Sequence, residues 1–340
     1  MRYRTIPNTD LSLSEIGFGC GGNAGLMVRG ARVEQIRVIA RALDHGVNYF
    51  DLAPDYGEGQ AETNLGIALK EIGHRPLLNS KVEIRECDLG DIGQHVVNST
   101  EASLSRLGVD YIDILQIHNG PITPPPSLQG RDYKQLSTED YLRPGGAVEG
   151  IARLREAGKV RAAGFICRGD DATDVKLLLE TGIFSLINVP YTLLNPTAGM
   201  PKPADLQVQP NYGNVITHAM SKGIGTAIYS PLAGGYLTDE TIAGEQHPLA
   251  RNKDLQAAAA KRLRMIAREF SFLKDELSDS LAKAAFRFVL GHPGVTTVLG
   301  GFSSLEQLDE LALVSDMPPL PEDKVNRLKT LWSSNFATLS

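Results

Sequence analysis

The 340-residue sequence predicts an α/β fold, a (β/α)8 TIM barrel with an N-terminal β-hairpin and long loops at its C-terminal face. Three observations predict it. Short β-branched or apolar runs alternate with longer stretches of helical periodicity through to the C-terminus, an order that argues for a parallel sheet. Eight such runs occur, the number that closes a barrel rather than leaving an open sheet. No G-x-G-x-x-G follows the first of them, so an open dinucleotide-binding sheet lacks its main support.

Taken in order, residues 2–14, RYRTIPNTDLSLS, hold two alternating runs around a turn signal at Asn8-Thr9-Asp10, which reads as a hairpin spanning 1–15. The expected barrel strands are Ile16–Gly19, Val47–Asp51, Leu77–Lys81, Tyr111–His118, Val160–Ile166, Ser185–Pro190, Gly225–Tyr229 and Val295–Leu299. A helix over Val33–His45 places Val33, Ile36, Ile39, Ala40 and Leu43 at helical spacing and stops at Gly46. The helix Asp91–Leu107 carries a stripe of Val96, Val97, Thr100, Leu104 and Leu107 and stops at Gly108; Val148–Ala157 ends the same way at Gly158. Residues 119–146 and 232–252 exceed an ordinary strand-to-helix loop, and both follow strands on the face where barrel active sites form. A tail with a helix, 318–340, completes one barrel domain over 1–340.

Composition narrows the function. Lys plus Arg number 34 against 40 Asp plus Glu, a formal charge of −6, which disfavours a nucleic-acid partner. Hydrophobic residues at 42% and charged residues at 22% describe a globular chain. Cys20, Cys87 and Cys167 show no paired spacing, so neither a disulfide framework nor a thiolate metal site is expected. The N-terminus has no apolar signal region and no run approaches about 18 apolar residues, so the expectation is a cytoplasmic protein without a membrane partner.

Four ionisable side chains fall at the ends of neighbouring expected strands: Asp51, Tyr56 in the turn after it, Lys81 and His118. Each has an ordinary structural explanation alone, but barrel closure would bring all four to one rim. Together they form an acid-base set. A tyrosine with a pKa near ~10 exchanges protons poorly at neutral pH, while an adjacent ammonium stabilises its phenolate and an aspartate holds that ammonium in place. Lowering the tyrosine to about 7 or 8 would take roughly 3–4 kcal/mol. The histidine would donate a hydrogen bond to a substrate oxygen.

With Asp51, Asp55-Tyr56-Gly57, Lys81 and His118 in this order, the chain resembles the aldo-keto reductases. The resemblance continues in Gly158-Lys159-Val160-Arg161 with Gly164, in Tyr229-Ser230-Pro231-Leu232-Ala233-Gly234-Gly235, and in Gly301 with Gln307. It implies a nicotinamide cofactor, NADP or NAD, held without a Rossmann fold, and a hydride passed between it and a carbonyl or alcohol substrate. Tyr56 would be the general acid/base, assisted by Lys81 and Asp51, with His118 steering the substrate oxygen. Cofactor contacts carried by the same resemblance are Gly22, Asp51, Asn188, Tyr229 stacked on the nicotinamide, Ser230, Leu232 and Gly234 near the pyrophosphate, and Gly301, Ser303, Ser304 and Gln307 along the adenosine.

The chain departs from the family pattern at three places. Ile166-Cys167 stands where the fifth strand usually ends in Ser-Asn, and Asn188 stands where the sixth offers glutamine. Ser303 and Ser304 occupy positions where NADP-preferring relatives often carry arginine, so NAD use is open, as in the branch of NAD-linked aldose and galactose dehydrogenases. The alternative to an enzyme is an NAD(P)-binding regulatory or sensor subunit. A barrel isomerase or hydrolase is disfavoured because no cluster of metal-ligating residues is evident at the strand ends, and no metal is expected. Tyr133, Tyr141 and Trp332 are candidates either for the pocket wall or for rim packing.

Overall fold

The computed structural model describes residues 1–123, 135–168, 172–245 and 257–337. The expectations for Pro124-Pro125-Pro126, for Tyr133 and for 246–252 fall outside these residues. The chain opens with the antiparallel pair β1 (Tyr3–Thr5) and β2 (Ser12–Ser14). In the turn between them Asn8 adopts a left-handed φ of 60°, which a short amide side chain tolerates.

The barrel strands are β3 (Ile16–Gly19), β4 (Tyr49–Asp51), β5 (Leu77–Val82), β6 (Ile112–Ile117), β9 (Val160–Ile166), β10 (Leu186–Pro190), β11 (Gly225–Tyr229) and β12 (Thr297–Gly301). Between β6 and β9, two-residue strands β7 (Gly120–Pro121) and β8 (Gln135–Leu136) pair with each other outside the barrel. All eight barrel strands run parallel, and β12 returns to β3 to close the ring. Among the described residues the expected long loops carry secondary structure, the first β7, β8 and a helix over Thr138–Leu142, the second a helical turn at Ala233–Gly235 and a helix over Asp239–Ala243. The tail forms the helix Glu322–Ser333.

Strand edges moved where side chains or turns compete for the backbone. The second strand starts at Tyr49 rather than Val47, because Val47 N–H bonds to the Ala42 carbonyl at the helix exit and Asn48 N–H to Ser14 Oγ. The eighth runs over Thr297–Gly301 rather than Val295–Leu299: Val295 closes a turn on His292, and register with β3 sets Gly300 and Gly301 opposite Phe18 and Gly19. The helix Arg32–Asp44 is rotated from its expected face. It buries Gln35, Val38, Ile39 and Ala42 and leaves Val33 64% exposed, because the Gln35 amide is anchored on the Leu26 and Gly30 carbonyls.

Alternation along the strands builds the interior in layers. The lowest is apolar: Tyr49, Ile114, Ala162, Leu186, Ala227 and Leu299 pack with Ile6, Leu11 and Leu13 of the hairpin, which plugs the barrel floor. Two residues further along their strands come the polar side chains of Asp51, Gln116 and Asn188, with Asn79 of β5 in the same layer. Lys81 and His118 stand another two residues up. The opposite strand faces pack beneath the helices in the larger core, with Phe18, Phe50, Leu78, Leu115, Phe165, Ile187 and Val298 among its buried members.

Candidate functional site

Lys81 is the centre of the site. Its ammonium lies 2.5 Å from Asp51 Oδ1 and 2.5 Å from the Leu52 carbonyl, and donates to the Tyr56 hydroxyl at 3.3 Å. Asp51 and Lys81 are buried with side-chain exposures of 4% and 1%. A buried ion pair persists only when its remaining hydrogen-bonding capacity is met. Here Asp51 Oδ2 accepts from Asn79 Nδ2 at 2.8 Å and Asn188 Nδ2 at 2.9 Å, and Gln116 joins both amides at 3.0 and 2.9 Å. Asn79 and Gln116 were missed in the sequence; the signal was a polar side chain two residues before Lys81 and His118 and so on the same strand face.

Tyr56 is delivered by the turn after β4, whose Gly57 takes a φ of 66°. His118 meets its ring edge-on, with centroids 6.0 Å apart. The tetrad thus assembles, but its electrostatics differ from expectation. Burial pushes the Tyr56 pKa up to about 12; Lys81 lowers it, while Asp51 and Asp55 raise it again. The expected drop to 7 or 8 does not occur, because loss of water outweighs the Lys81 charge, which Asp51 and Asp55 also offset. Burial also pushes His118 down to about 4, with Arg168 and Lys81 adding to the effect and Asp55 opposing it. Burial alone would lower Lys81, but Asp51 and Tyr56 outweigh it, so its pKa is raised and the ammonium persists.

Arg168, just beyond β9, was also missed. Its Nη2 lies 2.6 Å from His118 Nε2. A guanidinium has only donors, so Nε2 accepts this bond and the neutral ring carries its proton on Nδ1. Nδ1 is 3.3 Å from Asp55 Oδ1 without hydrogen-bond geometry. His118, expected to donate a hydrogen bond to a substrate oxygen, has Nδ1 as its donor in this arrangement. Asp55, Glu83 and His118 bring ligand-type atoms within 4.8 Å of one another, a cluster not evident from the sequence.

The tetrad opens into a cavity of about 890 Å3, a size suited to a cofactor or ligand. All the candidate cofactor residues line it: Gly22, Asp51, Asn188, Tyr229, Ser230, Leu232, Gly234, Gly301, Ser303, Ser304 and Gln307. The donor set fits a dinucleotide. Gly19, Gly21, Gly22, Gly234, Gly235 and Gly301 present bare backbone, and the Tyr229 hydroxyl anchors its ring by donating to the Cys167 carbonyl at 3.0 Å. Ser304 caps the helix Leu305–Ala312 and so directs a helix N-terminus at the far end, a favourable place for an anion. Gln307 accepts from Ser303 N–H at 2.8 Å, and Ser303 Oγ donates to the Ala24 carbonyl at 2.7 Å. Asn188 touches the cavity, although its amide is committed to Asp51 and Gln116.

Other side chains resolve as packing. Cys167 is buried and burial pushes its thiol pKa up, which makes it an inert packing residue. Tyr141 is fully buried and donates to the Asn119 carbonyl, and Trp332 donates to the Leu193 carbonyl at 2.9 Å; neither lines the cavity. No helix among the described residues is long and apolar enough to cross a membrane.

Comparison with known proteins agrees with this fold. Residues 15–333 match the profile of the Aldo/keto reductase family. A probable voltage-gated potassium channel subunit beta from Arabidopsis thaliana is 28% identical, the alignment covering 94% of this chain and 93% of that protein. An L-galactose dehydrogenase, also from Arabidopsis thaliana, is 25% identical over 95% of this chain and 91% of that protein. The fold superposes on the holo form of an aldo-keto reductase from Bacillus halodurans with a TM-score of 0.71 at 23% identity, covering 97% of this chain and 96% of that one. With the barrel closed, the tetrad assembled and the match running almost end to end, the chain belongs to the aldo/keto reductase family of oxidoreductases, which in general depend on NAD(P).

Proposed function

We propose that the protein reduces a small carbonyl compound, with Tyr56 as the proton donor. The observation that carries this reading is the ammonium of Lys81 held between Asp51 at 2.5 Å and the Tyr56 hydroxyl at 3.3 Å at the cavity floor. The bound nicotinamide would supply the hydride chemistry. The protein supplies orientation, exclusion of water and the proton. A Tyr56 pKa near 12 keeps the hydroxyl protonated at neutral pH, the state that can donate to a carbonyl oxygen. Alcohol oxidation needs the phenolate and so gains as pH rises. Lys81 stabilises the negative charge left on the tyrosine oxygen, and Asp51 with its amide partners keeps Lys81 in place.

The cofactor reading is NAD. At the far end the cavity is lined by Ser303 and Ser304 and by Glu306 and Glu310, with no Lys or Arg among the described lining residues there. Hydroxyls and carboxylates suit a ribose diol, whereas a 2′-phosphate calls for a guanidinium or ammonium.

Absorbance at the reduced nicotinamide band, with NADH and NADPH compared over an aldehyde and ketone panel, tests both readings. Tyr56→Phe is expected to lose at least about 100-fold in kcat while its fluorescence titration with NADH is retained. Comparable turnover in that variant removes Tyr56 from its role, and a preference for NADPH overturns the cofactor reading. The likeness to a channel beta subunit supports a second reading, a cofactor-binding regulatory subunit. Co-purification with a partner and no turnover across the panel would favour it.

A further inference from the structure

We propose that Arg168 is a specificity-determining residue that binds an oxyanion on the substrate, so that this site takes carbonyl compounds carrying a carboxylate or phosphate close to the reacting carbon. The inference rests on the proposed carbonyl-reductase reading and deepens it by naming the substrate class.

At the end of β9, Ile166 and Cys167 offer the cavity no side-chain polar group, and Arg168 is the first residue that does. Arg168 lines the same cavity as Tyr56, Lys81 and His118 and is half-buried. Its contact with His118 at 2.6 Å uses one of its five N–H donors. Among the described residues no carboxylate pairs with it, although the other cation at this end, Lys81, is matched by Asp51 at 2.5 Å. A cation held partly out of water, whose remaining donors meet no partner among the described residues, has a large gain available from a planar or tetrahedral oxyanion, and guanidinium geometry favours bidentate capture.

Location sets where that oxyanion sits on the substrate. Tyr56 and His118 lie with ring centroids 6.0 Å apart, and the guanidinium is within one hydrogen bond of the His118 ring. A carbonyl oxygen placed on the Tyr56 hydroxyl therefore has Arg168 beside the adjacent carbons of the substrate. Because His118 Nε2 accepts from Arg168, that nitrogen is not a donor here. Burial and the neighbouring cations hold His118 neutral, consistent with that arrangement. The proposal adds no chemical step.

The test compares matched pairs, a 2-oxo acid against its methyl ester and a phosphorylated aldehyde against its dephosphorylated form, in the wild type and in Arg168→Gln. The wild type is expected to favour the anionic member of at least one pair. In Arg168→Gln the anionic-to-neutral ratio of kcat/KM is expected to fall roughly 10- to 100-fold, the size of a lost hydrogen bond to a charged group. The pair that shows the effect identifies carboxylate or phosphate. An unchanged ratio, or no anionic preference in the wild type, overturns the proposal. Titration of the NADH-loaded protein with oxalate and with inorganic phosphate reads the same site without turnover. Circular dichroism checks that the variant is folded. Binding weakened at least 10-fold in Arg168→Gln supports the proposal even if every carbonyl substrate fails, an outcome that would sink only the reductase reading; unchanged binding, or none in the wild type, overturns it.

Discussion

At the residue scale, burial outweighs proximity in setting the protonation of this site. Lys81 touches Tyr56, yet the tyrosine is pushed up rather than down, because the hydroxyl has lost water and Asp51 offsets part of the ammonium's pull. His118 shows the same balance and makes a measurable contribution to stability. Its folded pKa near 4 lies below the unfolded value near ~6.5, so between those values the unfolded chain binds more protons than the folded one. Stability is then complete above about pH 6.5 and falls as pH drops towards 4, by an amount of order 3 kcal/mol. Urea unfolding between pH 4 and 7 should show this slope in the wild type and a shallower one in His118→Gln. Identical slopes would place the titration elsewhere. The residues that sequence reading missed, Asn79, Gln116 and Arg168, carry no motif of their own, and each acquires meaning only from what barrel closure sets beside it.

At the element scale, two-residue alternation explains why the polar layer sits where it does. Tyr49, Ile114 and Leu186 lie two residues before Asp51, Gln116 and Asn188 on their strands, so each strand contributes one apolar and one polar side chain inward. The layer needs room on β9. A Cβ on Gly164 would collide with the Leu186 carbonyl oxygen and come within 3.0 Å of Gln116 Cγ. Gly164→Ala is therefore expected to cost about 1–3 kcal/mol and to lower kcat by displacing Gln116 from Asn188 and Asn79. Denaturant midpoints and steady-state rates check it, and a variant neutral in both would show that β9 and β10 can move apart. The helix Arg32–Asp44 was legible as a helix but not in its rotation. Its apolar spacing allowed Val33 inward, and the choice was made by the buried hydrogen bonds of Gln35.

At the scale of the whole molecule, the N-terminal hairpin joins the barrel floor to the C-terminal segment. Leu13 is fully buried among the interior strand residues. Arg4 donates to the Val295 and Leu290 carbonyls at 2.5 and 3.0 Å, and Glu15 pairs with Arg2 and Arg4 and accepts from Ser315. Leu13→Ala should destabilise the protein by about 2–5 kcal/mol, as large-to-small core substitutions do. Its kcat below the unfolding transition should stay near that of the wild type, since the hairpin is at the opposite end from the tetrad. Thermal unfolding and rate measurements on one preparation test both parts, and a loss of kcat in the folded variant would show that floor and site are coupled.

The sequence by itself determined the barrel and the tetrad. Strand and helix periods are local properties, and residues at strand ends inherit a common rim once the strands are parallel. The positions offered as cofactor contacts all line one cavity. Only the tertiary structure decided the charge states, the partner of His118 and the polar layer under Lys81. Those depend on which side chains from distant strands exclude water from one another, a quantity that no local pattern encodes.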